Sequence, residues 1–367
     1  MRSRGLGRRQ LLVLAAMVAL LVGCSPSGGT VVTSTELRIY SWAEYLPPEV
    51  IAAFEAAHPG LHVSIDTYAS NEEMLAGLAA QPGHWDLVIP SDYAVEILIG
   101  RDGLEAIEIG MEIKNFANIL PAFRAPYFDP GGQPSRTGGK ADQPKFTVPF
   151  QWGTTGIAWD SSKVSSDLTA WADLARPELH GKVGVLDDAR ETLGSALLAT
   201  GHDKNDASAA ALADAAAWLN GLGIASVNSD NPERPLLDGT VDAEIIYNGN
   251  AVLAIRENPK ARFVLPEDGG IFFDNLAIPA RAPHKDAALA FIDFILLGEN
   301  SAKVSRTYGY STPNQAALTI LTDSDPAFVN DPISNPSAAS LLGLRIVKNV
   351  GAAGQARFVA AWDGVHK

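Results

Sequence analysis

The chain has 367 residues, 28 of them basic and 42 acidic, for a net charge of −14, with one cysteine and seven histidines. So acidic a surface repels nucleic acid and anionic lipid, and a single cysteine leaves no intramolecular disulfide. The length exceeds one comfortable core, so two domains are expected. The histidines show no HExxH or similar spacing, and there is no Gly-x-Ser-x-Gly or phosphate-cradling glycine loop; no metal site, cofactor or catalytic residue is predicted.

Arg2, Arg4, Arg8 and Arg9 precede a 13-residue apolar run, Leu11 to Gly23, that ends at Cys24. A basic stretch, a short apolar core and small residues before a cleavage point make residues 1–23 a secretory signal peptide, and the run is too short to span a bilayer. Leu21-Val22-Gly23-Cys24 resembles the bacterial lipobox, whose cysteine becomes the mature N-terminus and takes a diacylglycerol on its thiol. The alternative is an ordinary secretory signal with an unmodified thiol. Arg8-Arg9-Gln10-Leu11-Leu12 also matches a twin-arginine export signal loosely, so both export routes stay open. Without residues 1–23 the chain carries 24 basic and 42 acidic side chains, a balance that suits a cationic ligand or simple solubility. Residues 24–35, rich in Ser, Gly and Thr, read as a lipidated tether. The expected location is extracytoplasmic, in the periplasmic space or on the outer face of the cell membrane, with Cys24 as lipid anchor.

Beyond residue 35 strand and helix patterns alternate. Glu36–Tyr40 reads as a strand, Pro47-Pro48 opens a helix through Ala57, and Pro59-Gly60 stops it. Leu61, Val63 and Ile65 alternate as a second strand, Ser70 and Glu73 have capping-box spacing, and Trp85–Ile89 reads as a buried strand. Further strands are expected at Phe146–Phe150, Thr155–Trp159, Lys182–Leu186, Ala243–Tyr247 and Ile271–Ile278. Helices are expected at Ala207–Leu222 and Lys285–Leu296, and a surface loop at Asp129–Pro144. The alternation predicts a doubly wound α/β fold with largely parallel sheets.

In open α/β sheets ligands bind beyond the carboxyl ends of the strands, so the residues after each strand are the candidates. There the chain places Trp42 and Tyr45, then Ser91, Asp92 and Tyr93, then Asp188 and Glu191, then Tyr247, with Phe272 and Asp274 on one face of a later strand. Aromatics and carboxylates at one rim suit an elongated organic cation, each ring contact contributing about 0.5 to 2 kcal/mol while carboxylates accept charge-assisted hydrogen bonds. Local roles compete with this reading. Asp92 reads first as a helix cap, Asp188 and Glu191 have capping-box spacing, and Trp42, Tyr45 and Phe272 are also plausible core aromatics. Asp188 and Glu191 as glycosidase carboxylates remain an alternative, although helical spacing puts them side by side with no second acid across a cleft.

Five ordered segments carry a resemblance. They are Ile39-Tyr40-Ser41-Trp42-Ala43-Glu44-Tyr45-Leu46-Pro47-Pro48, Asp86-Leu87-Val88-Ile89-Pro90-Ser91, Asp187-Asp188-Ala189-Arg190-Glu191, Asn228-Ser229-Asp230-Asn231-Pro232 and Gly309-Tyr310-Ser311-Thr312-Pro313-Asn314. Together they resemble the spermidine/putrescine-binding proteins of bacterial ABC importers, over nearly all of the chain beyond the tether. The resemblance implies a two-lobed, type II periplasmic-binding-protein fold, each lobe a mostly parallel sheet flanked by helices, with the ligand in the interlobe cleft. It implies lobe 1 as residues 36–153 plus 273–318 and lobe 2 as 154–272 plus 319–367. By the same resemblance Trp42, Tyr45, Ser91 and Tyr93 line the cleft from one lobe, Asp188 and Glu191 receive amino groups from the other, Tyr247 packs on the ligand chain, Phe272 is an aromatic wall, Asp274 is the principal amine-binding carboxylate and Tyr310 completes the site. The implied protein is no enzyme. It captures spermidine or putrescine as a monomer and delivers it to a membrane permease driven by a cytoplasmic ATPase; a binding protein for another small solute, such as a sugar, amino acid or metal chelate, is the alternative.

The chain also departs from that pattern. Ala43 stands where spermidine binders often have a hydroxyl residue, Tyr247 replaces a tryptophan, and Val347 stands about where the spermidine type has an amide. Asp188 points to the spermidine type, whereas Phe272-Phe273-Asp274 points to the putrescine type.

Overall fold

The structure is a computed structural model that describes residues 32–132 and 144–365. The signal peptide, Cys24 and residues 24–31 of the tether lie outside the described residues, as do 133–143 of the surface loop. Ten strands, β1 (Glu36–Trp42), β2 (His62–Tyr68), β3 (Leu87–Val88), β4 (Thr147–Asp160), β5 (Val183–Val185), β6 (Ser226–Val227), β7 (Ala243–Tyr247), β8 (Ala261–Val264), β9 (Gly270–Ala277) and β10 (Arg345–Ile346), form one sheet. Their order is β2-β1-β3-β9-β4-β7-β5-β6, with β10 on β9 and β8 on β4.

The two ends of the sheet are parallel and helix-covered. β1 pairs parallel with β2 and β3, and β5 pairs parallel with β6 and β7. The centre is antiparallel, where the long strand β4 pairs with β9, β7 and β8. The two strands expected at Phe146–Phe150 and Thr155–Trp159 are one strand of 14 residues. A register shift between Pro149 and Gln151 bends it, at a proline that has no N–H to offer the ladder. Past the bend the strand stays extended partly on partners distant in sequence: Trp152 N–H donates to the Ser311 carbonyl (3.1 Å) and Thr154 N–H to Asn248 Oδ1 (2.8 Å).

Each end of the sheet has its own core. Leu37, Ile39, Leu87, Val50, Phe54, Phe291 and Ile292 close one; Ile157, Trp171, Leu193, Leu219, Ile245 and Phe358 close the other. Helix Pro48–Ala57 opens with proline at its first position, where the missing N–H costs nothing, and Gly60 (φ +94°) takes the left-handed turn beyond its end. Leu276, Ile278, Phe291, Ile292, Val304 and Tyr310 return to the first core, Ala302, Ala317, Leu321 and Phe328 make a small cluster of their own, and helix Gly351–Asp363 contributes Phe358 and Trp362 to the second core. The boundary expected after residue 318 falls inside helix Gln315–Ser324, whose Ala317 and Leu321 pack with Ala302 and Phe328.

Candidate functional site

The strand ends converge on one cleft. All ten side chains that the resemblance implies, Trp42, Tyr45, Ser91, Tyr93, Asp188, Glu191, Tyr247, Phe272, Asp274 and Tyr310, line it, together with Ala43, Asn71, Asp92, Arg190, Ser229, Asn250 and Val347. Counted out to its mouth, open solvent included, its empty space is about 570 Å³.

Asp274, on β9, is the most elaborately held group. Tyr45 donates its hydroxyl to one carboxylate oxygen, and Ser91 Oγ donates to the other at 2.6 Å. Ser91 is itself fixed by Asn71, which donates to its Oγ (3.0 Å) and accepts from its N–H (3.1 Å). Asp274 is only 3% exposed, and burial pushes its carboxyl up to about 7 against the pull of those two hydroxyl donors. No protein cation lies within ion-pair distance of it among the described residues. Around it stand Tyr45, Tyr310, Phe272 and Tyr247, in successive edge-to-face contacts at 5.4, 6.1 and 5.5 Å between ring centres. Trp42 is pinned by its indole N–H to the Ile89 carbonyl (3.0 Å).

The other end of the cleft belongs to helix Ala189–Ala199. Asp188 both caps it and faces the cleft: Oδ1 accepts from the N–H groups of Arg190 and Glu191, each at 2.9 Å, and Oδ2 is 3.4 Å from the Tyr247 hydroxyl. Burial, then the neighbouring Glu72 and Glu191, push Asp188 to about 8. Glu191 does not turn back to complete a capping box. Its carboxylate meets the buried Lys204 ammonium at 2.9 Å. With Asp188 tied to helix amides and Glu191 to a lysine on the same wall, the paired-carboxylate geometry of a glycosidase does not form.

Asp92 corrects one expectation. Ser91, not Asp92, is the N-cap of helix Asp92–Ile99, and no side chain caps it. Asp92 is the first helical residue, lines the cleft, and is held well above the carboxylate range by burial. Phe273, next to Phe272, faces away from the cleft toward Phe123 (6.1 Å).

Several groups were not singled out by sequence. Glu44 (φ +49°) and Glu233 both accept from Asn250 Nδ2, at 3.0 and 3.1 Å, and Asn250 Oδ1 accepts from Tyr310 (2.8 Å). Burial and the neighbouring Glu233 push Glu44 up to about 7. Glu72 accepts from Tyr93 (2.9 Å) and Gln355 (2.6 Å), while Arg190 donates to Gln355 (2.9 Å) and lies over the Tyr93 ring (5.3 Å). Glu44 lies inside the Ser41–Tyr45 segment and so carried a signal. Lys204, in an unremarkable polar stretch, and Gln355, in an alanine-rich helix, carried none. Among the described residues no group of three or more His, Cys, Asp or Glu could hold a metal ion, and no helix is long and apolar enough to cross a membrane.

The family model for bacterial extracellular solute-binding proteins matches residues 49–335. The spermidine/putrescine-binding periplasmic protein of Escherichia coli (strain K12) is 34% identical over 345 residues, spanning 93% of this chain and 94% of that protein. A putrescine/cadaverine-binding protein of Pseudomonas aeruginosa is 28% identical over 82% of this chain and 85% of its own length. Among solved structures, a candidate spermidine/putrescine ABC transporter from Listeria monocytogenes superposes with a TM-score of 0.81 at 27% identity, covering 90% of this chain and 98% of its own. A lipoprotein of Treponema pallidum does so with a TM-score of 0.72 at 26% identity, over 90% and 99%. The fold is thus the two-lobed, type II periplasmic-binding-protein fold, and the chain belongs to the bacterial extracellular solute-binding proteins.

Proposed function

We propose that this protein captures a polyamine outside the cytoplasm and delivers it to an ABC permease driven by a cytoplasmic ATPase. One observation carries the reading. Asp274 is a buried carboxylate with its oxygens ordered by Tyr45 and Ser91, no cation within ion-pair distance among the described residues, and four aromatic rings beside it. A buried carboxylate so prepared is satisfied by a cationic ligand, and the rings pack on the methylenes between ammonium groups. In this reading Trp42, Tyr93, Tyr247, Phe272 and Tyr310 enclose the alkyl chain, and Asp188 accepts the far ammonium. The relatives that bind spermidine, putrescine or cadaverine support the ligand class.

Closure follows from differential contact: Asp274 and Asp188 hold the same ligand only when the two halves of the cleft are together, so binding shifts the population. We assign lobe 1 to residues 36–153 and 273–330 and lobe 2 to 154–272 and 331–365. The last crossover is moved from 318 because the helices at 315–330 pack with Ala302. Cys24 is proposed as a lipid anchor on a tether, in a monomer that needs to stay near its permease; that a relative of the same fold is a lipoprotein supports this. Mass spectrometry of the mature N-terminus tests it, a diacylglycerol adduct on Cys24 being expected.

Titration calorimetry against putrescine, cadaverine, spermidine and spermine tests the function. Micromolar affinity, about −8 kcal/mol, is the expected scale for two ion pairs with aromatic packing after desolvation. No heat and no thermal shift with any of the four at millimolar concentration overturns the proposal.

A further inference from the structure

We infer that Lys204 is a built-in ammonium group that occupies the place of a third ligand amine, so that the cleft selects a diamine over a triamine. The inference rests on the proposed polyamine function and names the ligand class within it.

Glu191 lines the cleft, yet its carboxylate is already engaged by Lys204 Nζ at 2.9 Å. Both side chains are out of solvent, 0% exposed for Lys204 and 8% for Glu191. The lysine is enclosed by design of the backbone around it: a Cβ on Gly194 would come within 2.8 Å of its Cγ, and a Cβ on Gly270 within 2.8 Å of Nζ. Two glycines thus make room for a long cationic side chain that no solvent-facing role requires. A buried ion pair of this kind is held by mutual need, since removing one partner strands the other charge.

The consequence is a count of charges. Among the cleft carboxylates, Glu191 is neutralised by Lys204, and Arg190 faces Glu72. Asp188 and Asp274 have no protein cation within ion-pair distance among the described residues, and Asp92, which also lines the cleft, is engaged by the Tyr93 N–H (2.8 Å) and the Tyr127 hydroxyl (3.3 Å). Two open carboxylates at opposite ends of an aromatic channel match two ammonium groups. A third ammonium brought to Glu191 would find that carboxylate already paired with Lys204, with the apolar Val347 on the cleft wall, and at that carboxylate it would stand near a like charge.

Calorimetry with 1,4-diaminobutane and with spermidine on the full chain is the test. The wild-type protein is expected to bind the diamine at least about tenfold more tightly. Lys204→Met frees Glu191 and is expected to move the diamine-to-triamine affinity ratio toward spermidine by about tenfold, and adding Glu191→Gln to it is expected to move the ratio back. Circular dichroism melts verify that the variants fold. A wild-type preference for the triamine overturns the inference on its own, without any variant. So does a ratio that Lys204→Met leaves unchanged while amines still bind. If neither amine binds the wild-type protein, the polyamine reading itself has failed.

Discussion

Asp274 concentrates the physics of the site at a single residue. Its carboxyl stands near 7 where an exposed aspartate titrates near 3.8, because burial outweighs the Ser91 and Tyr45 donors. Between those values the folded, empty protein keeps a proton that the unfolded chain has released, so this residue makes stability fall as pH rises through that window. A bound ammonium reverses the preference and needs the ionised form. Polyamine affinity is therefore expected to rise with pH through about 7 and on toward about 8, where Asp188 ionises, with proton release on binding. Calorimetry in buffers of different ionisation enthalpy reads this, and affinity flat from about pH 5.5 to about pH 8.5 would contradict it. Asp274→Asn is expected to weaken binding by about tenfold or more and to remove the lower part of that pH dependence. Glu244 on β7 shows the same penalty without a function. It is 2% exposed, its Oε1 has no partner among the described residues, and burial with help from Glu233 and Asp238 holds it well above its usual value. Its stability cost grows as pH rises above about 4.5, so Glu244→Gln is expected to stabilise the fold more at about pH 8 than at about pH 5, by about 1 to 2 kcal/mol, read from denaturation at the two pH values.

At the scale of elements, the site depends on where β4 and β9 run together. Gly153 pairs with Phe272 across that ladder, and a Cβ there would come within 2.5 Å of Asn248 Oδ1 and 2.6 Å of the Phe272 ring. The glycine lets a cleft wall lie flat on the strand. Gly153→Ala is expected to cost about 1 to 3 kcal/mol of stability and to loosen ligand binding by displacing Phe272, checked by chemical denaturation and calorimetry together. Several features of these elements were legible in sequence. Pro48 opening a helix, Gly60 beyond its end and Ser70 accepting from the Glu73 N–H (3.2 Å) are local events, decided within a few residues. The fusion of two expected strands into β4 was not legible, since Ser311 and Asn248, which support its middle, are distant in sequence.

At the scale of the whole molecule, the two halves also touch each other directly. Gln355, on the C-terminal helix, donates to Glu72 on helix Asn71–Ala80 and accepts from Arg190, which stacks on Tyr93. In the proposed closing motion these contacts form only when the two halves are together. Gln355→Ala is therefore expected to weaken polyamine binding by about threefold to tenfold, mainly through faster dissociation, since hydrogen bonds to charged groups contribute about 1.5 to 3 kcal/mol before losses. Stopped-flow kinetics gives the split, and small-angle scattering gives the population of the closed form. An unchanged dissociation rate would remove these contacts from the closing equilibrium.

The sequence by itself determined the α/β alternation, the helix boundaries and the set of ring and carboxylate side chains after the strand ends, because periodicity, caps and strand-end position are short-range properties. Trp42, Tyr45, Ser91, Tyr93, Asp188, Glu191, Tyr247, Phe272 and Asp274 from those strand ends stand around one cleft, with Tyr310, which only the family resemblance supplied. Only the tertiary structure decided which carboxylates are open. Glu191 and Asp188 look alike as neighbours in a helix start, yet burial brings Lys204 to one and leaves the other without a cation. Charge pairing in a low-dielectric interior depends on three-dimensional distance, and residue spacing along the chain carries no measure of it.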